Sequence, residues 1–254
     1  MAHFQDLEPC TYFESFVDPT LDIAAVGWLE ATHTYDRGNV PPEFLSRLFE
    51  LLEGVWDPIR FRGKHVCALC DHTPPTMQDA SGRVVDVGAT NLFVPKRHDL
   101  GMFVAPSLML HYVIDHAYRP PPEFQAAVMS CPDTDSSAYF RRMGRIVPTT
   151  APWRDGPCGY WDSMGAALAA EAGRMSRTQW DSCWIAFNDG RSSFSTSDLA
   201  AEAPPWFATQ HIAPLVALGN ELEDRGELED AFAIRKWTDS VTFLGRQAPV
   251  NRPG

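Results

Sequence analysis

The sequence predicts an α+β protein in two regions: residues 1–147 with short β-strands and several helices, then residues 148–254, mostly helical with one hairpin. Three observations carry that expectation. An amphipathic stripe marks a helix near Leu45, three β-type runs punctuated by turn residues follow between Gly82 and Pro106, and the texture shifts at residue 147.

The chain enters through turn-rich segments. In "NVPPEFLSRLFELLEGVW", Phe44, Leu45, Leu48, Phe49 and Leu52 recur at the i, i+3, i+4 spacing of one helical face. Pro41 and Pro42 suit the first turn, where an N–H would be unpaired anyway, and Gly54 can end the helix. Beyond "HVCALCDH", the runs "GRVVDV", "NLFVP" and "GMFVAP" read as strands, with the Gly and Asp of "VGAT" and "KRHDLG" turning the chain between them. "APSLMLHYVIDHAY" reads as a helix opening near Pro106 and Ser107. It stops before Pro120, because a residue preceding proline is steered away from helical dihedrals. "PPEFQAAVMSCP" is a further short helix that starts on its prolines and ends before Pro132.

From residue 147, "IVPTTAPWRDGPCGYW" has the prolines and glycines of a connection, and six of the eight tryptophans lie beyond that boundary. "MGAALAAEAGRM" is a helix of small residues. "SCWIAFNDGRSSFST" reads as a hairpin turning at Asn188-Asp189-Gly190. Two helices close the chain, "WFATQHIAPLVALGNELEDRG", with Pro214 as a kink point, and "ELEDAFAIRKWTDSVTFLG".

The 254 residues are 44% hydrophobic and 21% charged, the usage of an ordinary globular protein. A net charge of −12 argues against a nucleic-acid partner, which needs a basic footprint. The nearest basic cluster, Arg141, Arg142 and Arg145, reads as side chains that cap helix carbonyls or pair with surface carboxylates. The acidic balance suits a cationic partner. No stretch approaches the roughly 20 apolar residues of a membrane span, and "MAHFQDLEPC" lacks the basic-then-apolar order of a signal peptide. The expectation is a cytoplasmic chain, without a membrane partner and with reduced cysteines.

Of the six cysteines, Cys67 and Cys70 have informative spacing. A C-x2-C pair forms a tight knuckle that presents both sulfurs to one ion, and paired histidines near a helix end recur as the remaining ligands of zinc sites. The expected zinc ligands are therefore Cys67, Cys70, His111 and His116. That order is the one found in a Cys2His2 finger, with an enlarged middle. Five residues along an ideal helix turn about 140°, so the two imidazoles share a face only if the helix frays near His116. His65, His72, His98 and Cys131 are the substitutes, and a buried His111 packed beside Tyr112 is the alternative without metal. Two thiolates and two imidazoles would close the coordination sphere, which favours a structural ion over a catalytic one.

"HFQDLEPCTYF", "VGWLEATHTYDRGNVPPEFLSRL", "HVCALC" and "FVAPSLMLHYVIDHAYRPPPEFQAAVMSCP" together resemble a family of small, uncharacterised bacterial proteins. Its pattern is an F-x-D-L-x-P start, a V-G-W-L segment, an H-x-C-x-x-C knuckle and an H-Y-x-x-x-H-x-Y-x-P-P block, here over roughly residues 3–145. The resemblance implies a compact module with a metal knot mapped to the same four residues, and no activity. Where the family has tyrosine after its first proline, this chain has Cys10.

Other chemistry is weaker. "WDSMG" places Trp161 where a nucleophile elbow needs a small residue, which discounts Ser163. No H-x-E accompanies the knuckle, as a zinc deaminase requires. "ELEDRGELED" reads as a solvated helix–turn–helix face, and Tyr160, Trp161, Trp180 and Trp184 as core aromatics. The function expected is binding of a protein partner by a zinc-stabilised accessory, regulatory or immunity-type protein. The alternative is a metal-dependent enzyme in which one histidine swings away and the pocket lies between the two regions. No catalytic or organic-cofactor residue is assigned.

Overall fold

The computed structural model describes residues 3–13, 22–57, 64–70, 72, 74–97, 100–146, 159–174 and 212–245. The fold is α+β with a mostly helical C-terminal region, and the chain divides into two compact units, Met1–Trp153 and Arg154–Gly254.

In the first unit a three-stranded sheet has the order β1 (Asp22–Ala25), β5 (Gly101–Pro106), β4 (Asn91–Pro95). β5 lies parallel to β1, with Ala24 opposite Phe103, and antiparallel to β4, with Val104 opposite Phe93. Both β4 and β5 are buried along their whole length, which explains their unbroken apolar runs. A separate hairpin pairs β2 (Thr76–Gln78) with β3 (Val84–Asp86). Helices α1 (Pro42–Glu53), α2 (Met109–Asp115), α3 (Pro122–Ser130) and α4 (Ser137–Ile146) complete the unit. The expected strands and helices of this region are present. β1 and β2 are additions, β1 folded where turn-rich entry was expected and β2 in a stretch given no element.

Aromatic side chains fill the core. Trp28 is 1% exposed, and its indole N–H donates to the Val104 carbonyl (3.2 Å), so the ring is buried without stranding its polar atom. Phe124 meets Phe44 and Phe103 edge-on, joining α3 to α1 and to the sheet. Tyr139 of α4 donates to the Phe93 carbonyl (2.8 Å), and Trp56 packs edge-on against Phe140. The hydroxyl of Thr134 donates to the carbonyls of Leu51 (3.0 Å) and Gly54 (2.9 Å), acceptors left open at the end of α1.

In the second unit α7 (Leu228–Gly245) packs on both α5 (Tyr160–Glu171) and α6 (Ala213–Asp224). Gly165 makes that approach close, since a Cβ there would sit 2.4 Å from the Ala233 carbonyl oxygen. Pro214 lies in the first turn of α6 as described; the chain before Ile212, where a kink would be judged, lies outside the described residues. Ser163 is buried within α5. The acidic run forms the α6–α7 corner, largely exposed and laced by Arg225–Glu227 and Arg235–Glu223 pairs. Tyr160 is buried and Trp161 meets Phe232 edge-on. The expected hairpin, Trp180 and Trp184 lie outside the described residues.

Candidate metal centre

Two anchors bring the knuckle to α2. The His65 N–H donates to the Gly88 carbonyl (2.9 Å), while the Gly88 and Thr90 N–H groups donate to Ser107 Oγ (3.0 and 3.3 Å), just before α2. Gly88 has φ +79°, and a Cβ on it would lie 2.3 Å from the His65 carbonyl oxygen. Only glycine combines that dihedral with that approach. Gly88→Ala is therefore expected to push the Cys67–Cys70 segment off α2 and weaken metal binding by about tenfold or more, read by competition with a chromogenic chelator.

The four expected ligands converge. Cys67 Sγ lies 3.4 Å from His116 Nε2, Cys70 Sγ lies 3.4 Å from His111 Nε2, and the two Nε2 atoms are 3.2 Å apart. All four ligand atoms fall within 4.8 Å of one another. Metal–sulfur bonds of about 2.3 Å and metal–nitrogen bonds of about 2.05 Å at tetrahedral angles would give N···N near 3.3 Å and S···N near 3.6 Å. These three edges fit that polyhedron, and the four residues can hold a metal ion.

The five-residue spacing is reconciled by the backbone. α2 ends at Asp115, and His116 leaves the helix with φ −115° and ψ 5°. Ala117 then enters the left-handed region at φ 53°. The turn is held by Tyr118 N–H to the Tyr112 carbonyl (3.0 Å) and Gly38 N–H to the Ala117 carbonyl (2.9 Å). Tyr118 donates to Asp6 (2.7 Å), fastening the same segment to the N-terminal strand region. The helix does fray at His116 as required, but the reversal at Ala117 stops it, three residues ahead of Pro120. The imidazoles meet edge to face, 88° between planes, which aims both Nε2 atoms at one point.

Asp115 belongs to the site although sequence reasoning passed over it. Its carboxylate accepts from His111 Nδ1 (2.6 Å), so the proton sits on Nδ1 and Nε2 presents its lone pair. The i, i+4 spacing on a helix was the available signal. Asp115→Asn should lower metal affinity by about 10–100-fold, measured by chelator competition with the fold monitored by circular dichroism.

Burial tunes the donors. Cys67 is 6% exposed and His111 2%. Burial holds the Cys67 thiol above its ordinary range, although the Leu69 N–H donates to its sulfur (3.2 Å). Burial, then the neighbouring His111, holds His116 below the usual imidazole value and so keeps it neutral for ligation. The Cys70 thiol donates to the His72 carbonyl (2.9 Å), a bond that ligation by the thiolate replaces. The Tyr112 hydroxyl is buried with no hydrogen-bond partner among the described residues. Burial, followed by the nearby Cys67 and Cys70, raises its pKa.

Of the substitutes, the three that are described stay outside this cluster. His65 contributes its backbone, His72 has an exposed ring, and His98 lies outside the described residues. Cys131 is buried at the end of α3, and burial pushes its thiol up to about 12 from 9.0. A pKa raised on folding stabilises the folded state below the unfolded value, and that stability is lost as pH rises from about 9 towards 12. Urea midpoints should therefore fall between pH 8.5 and pH 10.5 (about two units spanning the unfolded thiol pKa), and less so in Cys131→Ala.

A second group, His3, Glu30 and His33, has ligand atoms equally close. Its imidazoles are stacked at 3.8 Å and 17°, so their in-plane lone pairs run side by side and do not converge. Stacking disqualifies it as a metal centre. It borders an open cavity of about 540 Å³ lined also by Asp6, Tyr35 and Asp36. Another cavity, of about 520 Å³, reaches the metal cluster itself, bordered by Leu69, His116, Tyr35 and Arg37 of the first unit.

The fold and this cluster define a small α+β domain with a candidate Cys2His2 metal centre. The chain belongs to the family described as domain of unknown function DUF7919, whose sequence model matches residues 2–129. The match takes in all four clustered residues and Asp115. It ends within α3, short of the residue 145 to which the motif resemblance extended. No curated protein and no solved structure matches the chain. No described helix is long and apolar enough to cross a membrane.

Proposed function

We propose that the protein is zinc-stabilised and acts by binding another macromolecule, with zinc clamping the Cys67–Cys70 knuckle to His111 and His116 of α2. The single observation that supports this most is the set of 3.2–3.4 Å contacts among two sulfurs and two Nε2 atoms. Two thiolates and two imidazoles favour zinc over the oxygen-seeking magnesium and calcium. Four protein ligands fill a tetrahedron and leave no position for water or substrate, so the ion contributes folding free energy. With the metal in that role, the reading is an accessory, regulatory or immunity-type protein. A net charge of −12 suits a protein partner with a basic contact surface.

The cavity bordered by His116 supports a second reading, a metal-dependent enzyme in which His116 swings away and opens a coordination position. Zinc release to a chromogenic chelator separates the two. Release only on unfolding supports the clamp; free exchange from native protein supports the enzyme and removes the clamp. For the partner, crosslinking in the native host should enrich a protein on the wild-type chain and not on Cys67→Ala. Equal recovery on both would contradict a partner surface that depends on the clamp.

A further inference from the structure

Given the zinc clamp proposed above, on which this rests, we propose that the Tyr112 hydroxyl donates a hydrogen bond to the Cys67 thiolate in the metal-loaded centre. Tyr112 is then a positioning residue for the site, a fifth side chain that binds no metal itself.

Tyr112 follows His111 on α2 and is fully buried, at 0% exposure. Its hydroxyl has no hydrogen-bond partner among the described residues. Its ring stands against both imidazoles, with centroids 6.1 Å from His111 and 6.1 Å from His116. Those imidazoles carry the Nε2 atoms that lie 3.4 Å from Cys70 Sγ and from Cys67 Sγ. The groups whose charge reaches the phenol are the same two sulfurs, Cys67 ahead of Cys70.

The ring is also held where it is. The Tyr112 carbonyl accepts from the N–H groups of His116 (3.1 Å) and Tyr118 (3.0 Å). These bonds set the turn that aims His116 at the cluster, so Tyr112 cannot withdraw without dismantling the site.

A buried hydroxyl without a partner costs its lost hydration, and a phenylalanine would pack the same ring without that cost. The oxygen is accounted for when its acceptor arises only on metal binding. As a thiol, Cys67 is neutral and a weak acceptor, and burial holds it in that form. On ligation the S–H bond breaks, its proton leaves to solvent, and the sulfur binds the metal as a thiolate. That thiolate is a charged acceptor, and a tyrosine protonated at neutral pH is a donor for it. Cys67 takes the bond ahead of Cys70 because it is the more deeply buried sulfur, and its charge acts more strongly on the phenol. The Leu69 N–H already donates to Cys67 Sγ (3.2 Å), so the same atom gathers a second donor. Two donors draw charge from the sulfur and fix its direction, which strengthens the hold on the ion.

Cobalt(II), loaded into the full chain in place of zinc, reads the bond through its sulfur-to-metal charge-transfer band. Removing a hydrogen bond from a thiolate lowers the energy of that band. Tyr112→Phe should take up one cobalt per chain, as the wild type does, with the band moved to longer wavelength. Its zinc affinity should fall by about tenfold, read by chelator competition. In the wild type loaded with cadmium-113, the metal resonance should couple through sulfur to a hydroxyl proton, a readout that needs no variant. A loaded wild type without that coupling, or a band and affinity unchanged in Tyr112→Phe, would overturn the bond and leave the clamp standing. A wild-type chain that takes up neither cobalt nor cadmium would overturn both.

Discussion

Cys67→Ala is expected to yield protein without stoichiometric zinc and with most of the first unit's stability gone. Zinc held by two thiolates and two imidazoles contributes on the order of 10 kcal/mol to folding, comparable with the whole stability of a domain. Beyond the ligands, tethers of the knuckle among the described residues include the His65 N–H bond to Gly88 and the Lys64 side-chain contacts with Pro75 and Asp86. Cys70→Ala should produce the same loss, and the double variant should add little, because the ligands act as one unit. Cys131→Ala should retain whatever metal the wild type holds, since that thiol is buried outside the cluster. Zinc content per chain together with near-ultraviolet circular dichroism reads all four. Full stability of Cys67→Ala without metal would contradict the clamp.

The second large effect falls in the second unit. Gly165→Val should destabilise the α5–α7 packing by about 3 kcal/mol or more, because its side chain would occupy space held by backbone. A Cβ at Gly165 already meets the Ala233 carbonyl oxygen at 2.4 Å and Trp237 Cβ at 2.7 Å. Neither neighbour can yield without moving α7. The melting transition should shift down while zinc content stays unchanged, measured by calorimetry and elemental analysis on the same sample. An unchanged transition would mean that the helices do not pack at Gly165.

What could be read from sequence was what local patterns encode. The stripe of Phe44, Leu48 and Leu52 has the helical period, the runs at β4 and β5 are unbroken apolar stretches bounded by turn residues, and the structure has those elements. The C-x2-C pair and the helix bearing His111 could be found by spacing, because ligand order is a property of the chain. β1 was not readable: "DIAA" is four residues long and pairs in parallel with a strand distant in sequence. The convergence of His111 and His116 could not be computed from helical geometry, because it depends on Ala117 adopting a left-handed conformation. Alanine carries no signal for that; the surrounding hydrogen bonds impose it. Asp115 was readable in principle, four residues beyond His111, once the helix was drawn.

Zinc K-edge X-ray absorption on the purified protein tests the clamp most directly. One zinc per chain is expected, with two sulfurs near 2.3 Å and two imidazole nitrogens near 2.05 Å. A shell of nitrogen and oxygen alone, or protein that purifies without bound metal, would contradict it.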